Sequence, residues 1–295
     1  MLIFTWYPPS GALPLTFGDS APYLVTDATG LSANEATPKT RAGVGQWGES
    51  LIGIVVGPRV IAMEIAIIGA DDAARWQLRQ SLATAFVPAT ITAGATPTSG
   101  TLRINRGFGP LVEISAVPRA APEIVFHPGY AVATVEFFCP DPSFRETADA
   151  SVLLAGSGGF VFPLTHPFSL PANSPQVEIA NNGTIDAPPL IRVYGDITAP
   201  RLTNITTGAQ LELTGNIPAG SYIEIETDYG KKAVTLVDSL GARANAMNRL
   251  NLALAGTILD TFWKLRPGVN TVQLSAVTNV SGIARLFYRQ RYAGI

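Results

Sequence analysis

Cysteine occurs once, as Cys139, so no internal disulfide can form. The opening MLIFTWYPPSG has no basic segment, and Pro8-Pro9 cut its apolar run short, so it does not read as a secretory signal. One thiol and no leader predict folding in a reducing cytoplasm, with the Asn182, Asn204 and Asn279 sequons as chance matches. Charge is scarce as well: 14% of residues are Asp, Glu, Lys or Arg, against roughly 25% in ordinary soluble proteins. The 20 basic and 22 acidic side chains are dispersed, for a net charge of −2. The lack of a basic run argues against a phosphate-backbone binder. No apolar run reaches the roughly 18 residues that a membrane span requires. With two histidines and one cysteine there is no zinc-ligand spacing, and no acidic loop has the calcium-loop pattern. His127 and His166 have no serine elbow beside them, since GSGGF (156–160) is a flexible turn and not G-x-S-x-G. No catalytic group, metal or cofactor is expected. Cys139 reads as a small buried hydrophobe.

What is abundant is apolar residues, at 47%, punctuated by 28 glycines and 23 prolines. So few charges leave two readings open: well-filled cores, or surface buried against partner subunits. Short apolar runs between Gly and Pro are the pattern of an all-β protein. In RVIAMEIAII (59–68), Ile61, Met63, Ile65 and Ile67 share one face, opposite Val60, Ala62, Glu64 and Ala66. SYIEIET (221–227) and TVQLSAV (271–277) alternate in the same way, with Ile223 and Ile225, and Val272 and Leu274, on the apolar sides. DDAARWQLRQSLATAFVP (71–88) instead places Ala74, Leu78, Leu82, Ala85 and Phe86 on a helical stripe. Asp71 and Asp72 suit its start and Pro88 its stop, so a helix is expected over about 71–87. In NAMNRLNLALAG (245–256) the leucines alternate like a strand while the alanines favour a helix, and both readings stand. Arg285, Arg289 and Arg291 alternate onto one face of a terminal strand, read as solvated or subunit-facing.

RAGVGQWGES (41–50) contains Gly43-Val44-Gly45-Gln46-Trp47-Gly48, a literal G-x-G-x-x-G. A dinucleotide site needs these glycines between an apolar strand and a helix. Here TPKTRA precedes them without an apolar strand, and the β-rich ESLIGIVVG follows. The glycines therefore read as a loop with Trp47 anchored among them. A joint is expected after VATVEFFCPDPSFRE (132–146), where Pro140 and Pro142 interrupt sheet pairing and Asp141 fixes the turn. The scattered Trp6, Trp47, Trp76 and Trp263 would suit a carbohydrate-binding sandwich or simple core packing, and form no cluster.

Three ordered stretches resemble the distal tail proteins of long, flexible-tailed bacteriophages (siphophages). The first runs from the loop at Gly48 through PRVIAMEIAIIG to the single helix DAARWQLRQSLATAFVP. The second is GTLRINRGFGPLVEISAV followed by FFCPDPSF. The third comprises VEIANNGTIDAPPLIRVYGDITAPRLTNITTGAQLEL, GSYIEIETDYGKKAV, KLRPGVNTVQL and YRQRYAGI. The resemblance implies a mainly β chain in two domains. Residues 1–147 would be a ring-forming β-sandwich with one helix, and 148–295 a galectin-like or carbohydrate-module-like β-sandwich. It further implies a hexameric ring at the distal end of the virion tail, assembled in the bacterial cytoplasm. That ring would join the tail tube to the tail-tip hub, carry fibre or receptor-binding proteins, and pass DNA without specific binding or membrane insertion. Gly43, Gly45, Trp47 and Gly48 become a candidate subunit-interface loop, and Pro140, Asp141 and Pro142 a candidate interdomain joint. A glycan-binding module acting through the C-terminal sandwich is the competing expectation.

Overall fold

The computed structural model describes residues 2–87, 98–155, 176–251, 262–279 and 281–295. Pro88, His166, the GSGGF turn and the end of the 245–256 segment lie outside them. The chain divides into two compact units, Met1–Thr147 with Tyr292–Ile295, and Ala148–Arg291. The sequence-based boundary leaves the last four residues in the second domain, whereas the structure gives them to the first. The reason is local: the Ile295 N–H donates to the Leu31 carbonyl at 3.0 Å and the Tyr292 hydroxyl to Glu146 at 2.6 Å.

The first unit contains β1 (Ile3–Tyr7), β2 (Leu15–Phe17), β3 (Tyr23–Thr29), β4 (Ala36–Arg41), β5 (Ser50–Val56), β6 (Arg59–Ile67), α1 (Asp72–Ala85), β7 (Gly100–Asn105), β8 (Val112–Pro118), β9 (Glu123–His127), β10 (Tyr130–Cys139) and β11 (Phe144–Glu146). Apart from the β4–β5 pair, the strands run in the order β2-β1-β7-β8-β10-β6-β3, with β9 on β10 and β11 on β8. β8 pairs with β7 from Val112 to Ala116 but with β10 only at Val117 and Pro118, so the sheet passes from one layer to the other there. Alternation dictates what is enclosed. Ile61, Met63, Ile65 and Ile67 of β6 are buried with Ala131, Ala133, Val135 and Phe137 of β10, and Phe4, Trp6, Leu102 and Ile104 join the same core.

Helix α1 closes this core. Asp71 caps it, accepting the Ala74 N–H at 2.7 Å, and the helix stops at Phe86. Leu82, Ala85 and Phe86 are buried, while Ala74 and Leu78 are half-buried. The Trp6 indole donates to the Ala85 carbonyl at 2.9 Å, and its ring lies 4.8 Å from Phe137.

The second unit contains β12 (Ala150–Ala155), β13 (Gln176–Asn181), β14 (Leu190–Tyr194), β15 (Ile197–Thr198), β16 (Arg201–Asn204), β17 (Ala209–Glu212), β18 (Asn216–Ile217), β19 (Tyr222–Glu226), β20 (Ala233–Val237), β21 (Arg243–Asn245), β22 (Gly268–Ser275), β23 (Thr278–Asn279) and β24 (Ile283–Tyr288), and β25 (Arg291–Tyr292) follows at its border. One sheet has the order β12-β24-β14-β19-β20-β21 and the other β13-β22-β16-β17. Ile191, Ile223, Ile225 and Leu286 from the first share a core with Leu202, Leu211, Val272 and Leu274 from the second, which makes a mainly β sandwich. Two sequence expectations change here. Of the 245–256 segment, the described residues 245–251 contain the end of β21 and a 3-10 turn, Met247–Arg249. The three terminal arginines do not form one solvated face: Arg285 is exposed, Arg289 pairs with Asp149, and Arg291 is buried against Asp228 at 2.8 Å. A buried guanidinium needs a carboxylate, and Asp228 supplies it.

Candidate functional site

The G-x-G-x-x-G segment is the tip of a two-stranded hairpin. TPKTRA, read as lacking an apolar strand, forms most of β4, a polar strand that pairs with β5 from Ala36↔Val56 to Arg41↔Ser50. It lacks an apolar pattern because both of its faces are exposed. Gly45 and Gly48 adopt φ of +76° and +85°, which side chains disfavour. The tip is closed by the Gln46 side chain, which accepts the Gly43 N–H at 3.2 Å and donates to the Ser50 hydroxyl at 2.8 Å. The glycines therefore serve a tight turn, with no helix behind them to meet a phosphate.

Trp47 is 101% exposed. The expected anchoring among glycines does not occur, because the narrow tip presents no apolar surface for the ring to lie on. Leu51, Ile52, Ile54, Val55 and Val56 of β5 are each at least half exposed. A two-stranded ribbon with two open edges and no covered face is marginal in water, and β5 leaves its apolar side chains uncovered.

The hairpin root is rigid. Asn34 donates to the Gly57 and Pro58 carbonyls at 2.8 and 3.2 Å. Next to it Arg59, buried on the apolar side of β6, donates to Gly30 and Ser32 at 2.5 Å, to Pro142 at 2.8 Å, and to Ala293. Its guanidinium also lies 4.6 Å from the Phe144 ring centroid. Burial lowers the Arg59 pKa, with the nearby Cys139 acting in the opposite direction. Sequence analysis passed over Arg59, although an arginine at the parity of Ile61 and Met63 was the available signal. Pro140, Asp141 and Pro142 form the turn between β10 and β11, both inside the first unit. Asp141 accepts from the Ser143 N–H and hydroxyl at 3.0 and 2.6 Å.

In the second unit a shallow hollow of about 130 Å³ is lined by Asp186, Thr207, Phe262, Trp263, Lys264 and Arg266 among others. Three buried asparagines brace its turns. Asn181 donates to Ile185 and Leu265 at 3.0 and 2.9 Å. Asn204 donates to Lys264 at 3.4 Å and accepts from Thr207 at 3.3 Å. Asn270 both accepts from the Arg266 N–H, at 3.0 Å, and donates to its carbonyl, at 2.7 Å. Asn204, read from sequence as a chance glycosylation match, is a fully buried brace.

Elsewhere the chemistry is sparse. Burial pushes the Cys139 thiol up to about 12, so it stays protonated. His127 stacks on Tyr130 with centroids 4.9 Å apart. Among the described residues no group of three or more His, Cys, Asp or Glu is arranged to hold a metal.

Residues 182–292 match the family described as siphovirus-type tail component, C-terminal domain. No curated protein sequence matches the chain. Among solved structures, the Dit protein of phage SPP1, a paradigm of hub adsorption apparatus in phages infecting Gram-positive bacteria, is similar with a TM-score of 0.61. That likeness covers 99% of both chains at 13% identity. A chain of the phage P2 baseplate in its activated conformation with Ca is similar over 100% of both chains, with a TM-score of 0.51 and 9% identity. Residues 182–292 of the second unit thus match a siphovirus-type tail component domain, and the chain as a whole shares the fold of the SPP1 Dit protein.

Proposed function

We propose that six copies of this protein close into a ring at the distal end of the tail, joining the tail tube to the tail-tip hub around a channel through which DNA passes. The first domain, residues 1–147, builds the ring. The second, 148–291, is the platform on which fibre or receptor-binding proteins sit, the last four residues belonging to the first. A closed ring is made by heterologous contacts, so each subunit must offer a surface that is unlike the one receiving it. The observation that carries this reading is the β4–β5 hairpin, whose apolar residues are uncovered in its own chain. Likeness to a hub adsorption protein and the low charge content support the same reading.

Covering half of the Trp47 side chain on a neighbour would contribute about 2 kcal/mol, or some thirtyfold in affinity. Negative-stain imaging of the purified protein, and of intact tail tips, is expected to show six-fold rings. Trp47→Ala should weaken each contact by roughly that thirtyfold factor, and with six contacts per closed ring should deplete rings by more than thirtyfold near the assembly threshold. Tail tips without such rings would sink the proposal, and unchanged ring formation by Trp47→Ala would remove Trp47 from the interface.

A further inference from the structure

Tyr292–Ile295 belong to the first unit although the whole second unit precedes them in the chain. They lie half-buried in a groove between β11, with which β25 pairs, and residues 31–33. Each of the four is recognised. The Tyr292 hydroxyl donates to Glu146 at 2.6 Å, and Arg59 donates to the Ala293 carbonyl. Gly294 sits so close to the chain opposite that a Cβ on it would lie 2.6 Å from the Ala33 nitrogen. The Ile295 N–H donates to the Leu31 carbonyl at 3.0 Å, and the Tyr292 and Ile295 side chains pack against the core of the unit. A groove that fits Tyr-Ala-Gly-Ile this closely fits the same residues of another copy equally well, so reach decides the occupant.

We propose that the groove also accepts the Tyr292–Ile295 segment of a second copy, so that neighbouring copies exchange their C-termini. Reach is short. Arg291 is buried on Asp228, and its carbonyl accepts the Thr184 N–H at 2.9 Å, so a released tail extends about 14 Å at most. The second unit that supplies a tail must therefore stand against the first unit that receives it. Such a contact joins unlike surfaces, the kind from which rings are built. In dilute protein a chain's own tail competes at a roughly millimolar effective concentration, so exchange is the minor state; between abutting copies the two tails compete on equal terms. The proposal does not rest on six-fold closure, because exchange is read by covalent trapping and rings by imaging.

Disulfide trapping between full-length chains tests it. Leu31 and Ile295 pack against the same core beside their shared hydrogen bond, and the native Cys139 is buried out of reach. An isotope-labelled Leu31→Cys chain is mixed with an Ile295→Cys chain at about 0.2 mM, where on the order of a tenth of the tails are exchanged at any moment. Under a mild oxidant, followed until the yield is constant, a mixed dimer of distinct mass should form. Its yield should be at least about fivefold that obtained with Leu240→Cys, an exposed position of the second unit, in place of Leu31→Cys. Excess peptide RQRYAGI should suppress the dimer, and the same peptide with Gly294→Ala should not, since its extra methyl has no room. The chain carrying both Leu31→Cys and Ile295→Cys should close the bond within itself when dilute. Internal closure in that chain without a mixed dimer above the control overturns the exchange. So does a dimer suppressed equally by both peptides, and failure of internal closure overturns the groove itself. If Leu31→Cys does not fold, Ser32→Cys, at an exposed position, takes its place.

Discussion

Replacing Arg59 by methionine should destabilise the first unit more than most single changes could. Met matches the aliphatic stem of arginine but supplies no donor to the carbonyls of Gly30, Ser32, Pro142 and Ala293. Each buried acceptor stripped of its partner costs about 1–3 kcal/mol. Relief from burying a guanidinium returns several kcal/mol, because that desolvation penalty vanishes with the charge. With four acceptors at about 2 kcal/mol each and a relief of about 5 kcal/mol, the remainder is about 3 kcal/mol. For a unit of this size each kcal/mol lowers Tm by about 2–4 °C, so a fall of about 10 °C is expected. Differential scanning calorimetry is the assay. The change should appear in one transition and spare the other, since Arg59 and its acceptors all belong to the first unit. A shift below about 2 °C would mean that the four hydrogen bonds contribute no net stability, and would refute the reasoning.

Three further perturbations probe other elements. A Cβ at Gly100 would lie 2.2 Å from Trp6 Cη2 and 2.5 Å from the Tyr7 carbonyl. Gly100→Ala should therefore cost about 3 kcal/mol in a chemical denaturation curve, and an unchanged midpoint would show that β7 can move aside. Burial opposes ionisation of Glu224, but hydrogen bonds and charges from Arg243 and Arg192 outweigh it and hold its pKa below the usual range. The stability this gives is present above the unfolded pKa of about 4.3 and is lost as pH falls through the lower folded value. Glu224→Gln should accordingly flatten the acid side of a Tm–pH profile below about pH 5, whereas a profile parallel to the parent excludes the linkage. Cys139, fully buried with its thiol pushed up to about 12 by burial, should resist a thiol reagent in the folded protein and react on unfolding. Prompt labelling of native protein would contradict the packing around it.

What was legible in the sequence is what repeats with a period. Ile61, Met63, Ile65 and Ile67 declare a strand because one face is buried, and Leu82, Ala85 and Phe86 declare a helix for the same reason. The hairpin escaped in part because neither face of β4 is covered, so no alternation is imposed on Ala36–Arg41. Nothing in the local pattern of GVGQWG separates a phosphate cradle from a hairpin tip; the polar strand before it and the strand after it decide. Arg59, Arg291 and the three asparagines escaped because a residue type usually found outside can be buried once distant segments supply its partners. Some of those partners, such as Ala293 for Arg59 and Leu265 for Asn181, lie far away in sequence. The resemblance to phage tail proteins rested on the order of segments and not on any one motif, and it points to family and fold more than to individual contacts.

The docking of Tyr292–Ile295 into the first unit has a consequence for synthesis. That unit contains both early and late residues, so a ribosome can finish nearly all of it and still leave it unclosed while Ala148–Arg291 is made. The acceptor on Ala293 reaches Arg59 only after a sequence separation of 234 residues has been bridged, a closure that is slow compared with local folding. Native structure around Arg59 thus reports that translation has run past the second unit, and an interrupted chain lacks the last pieces of the first.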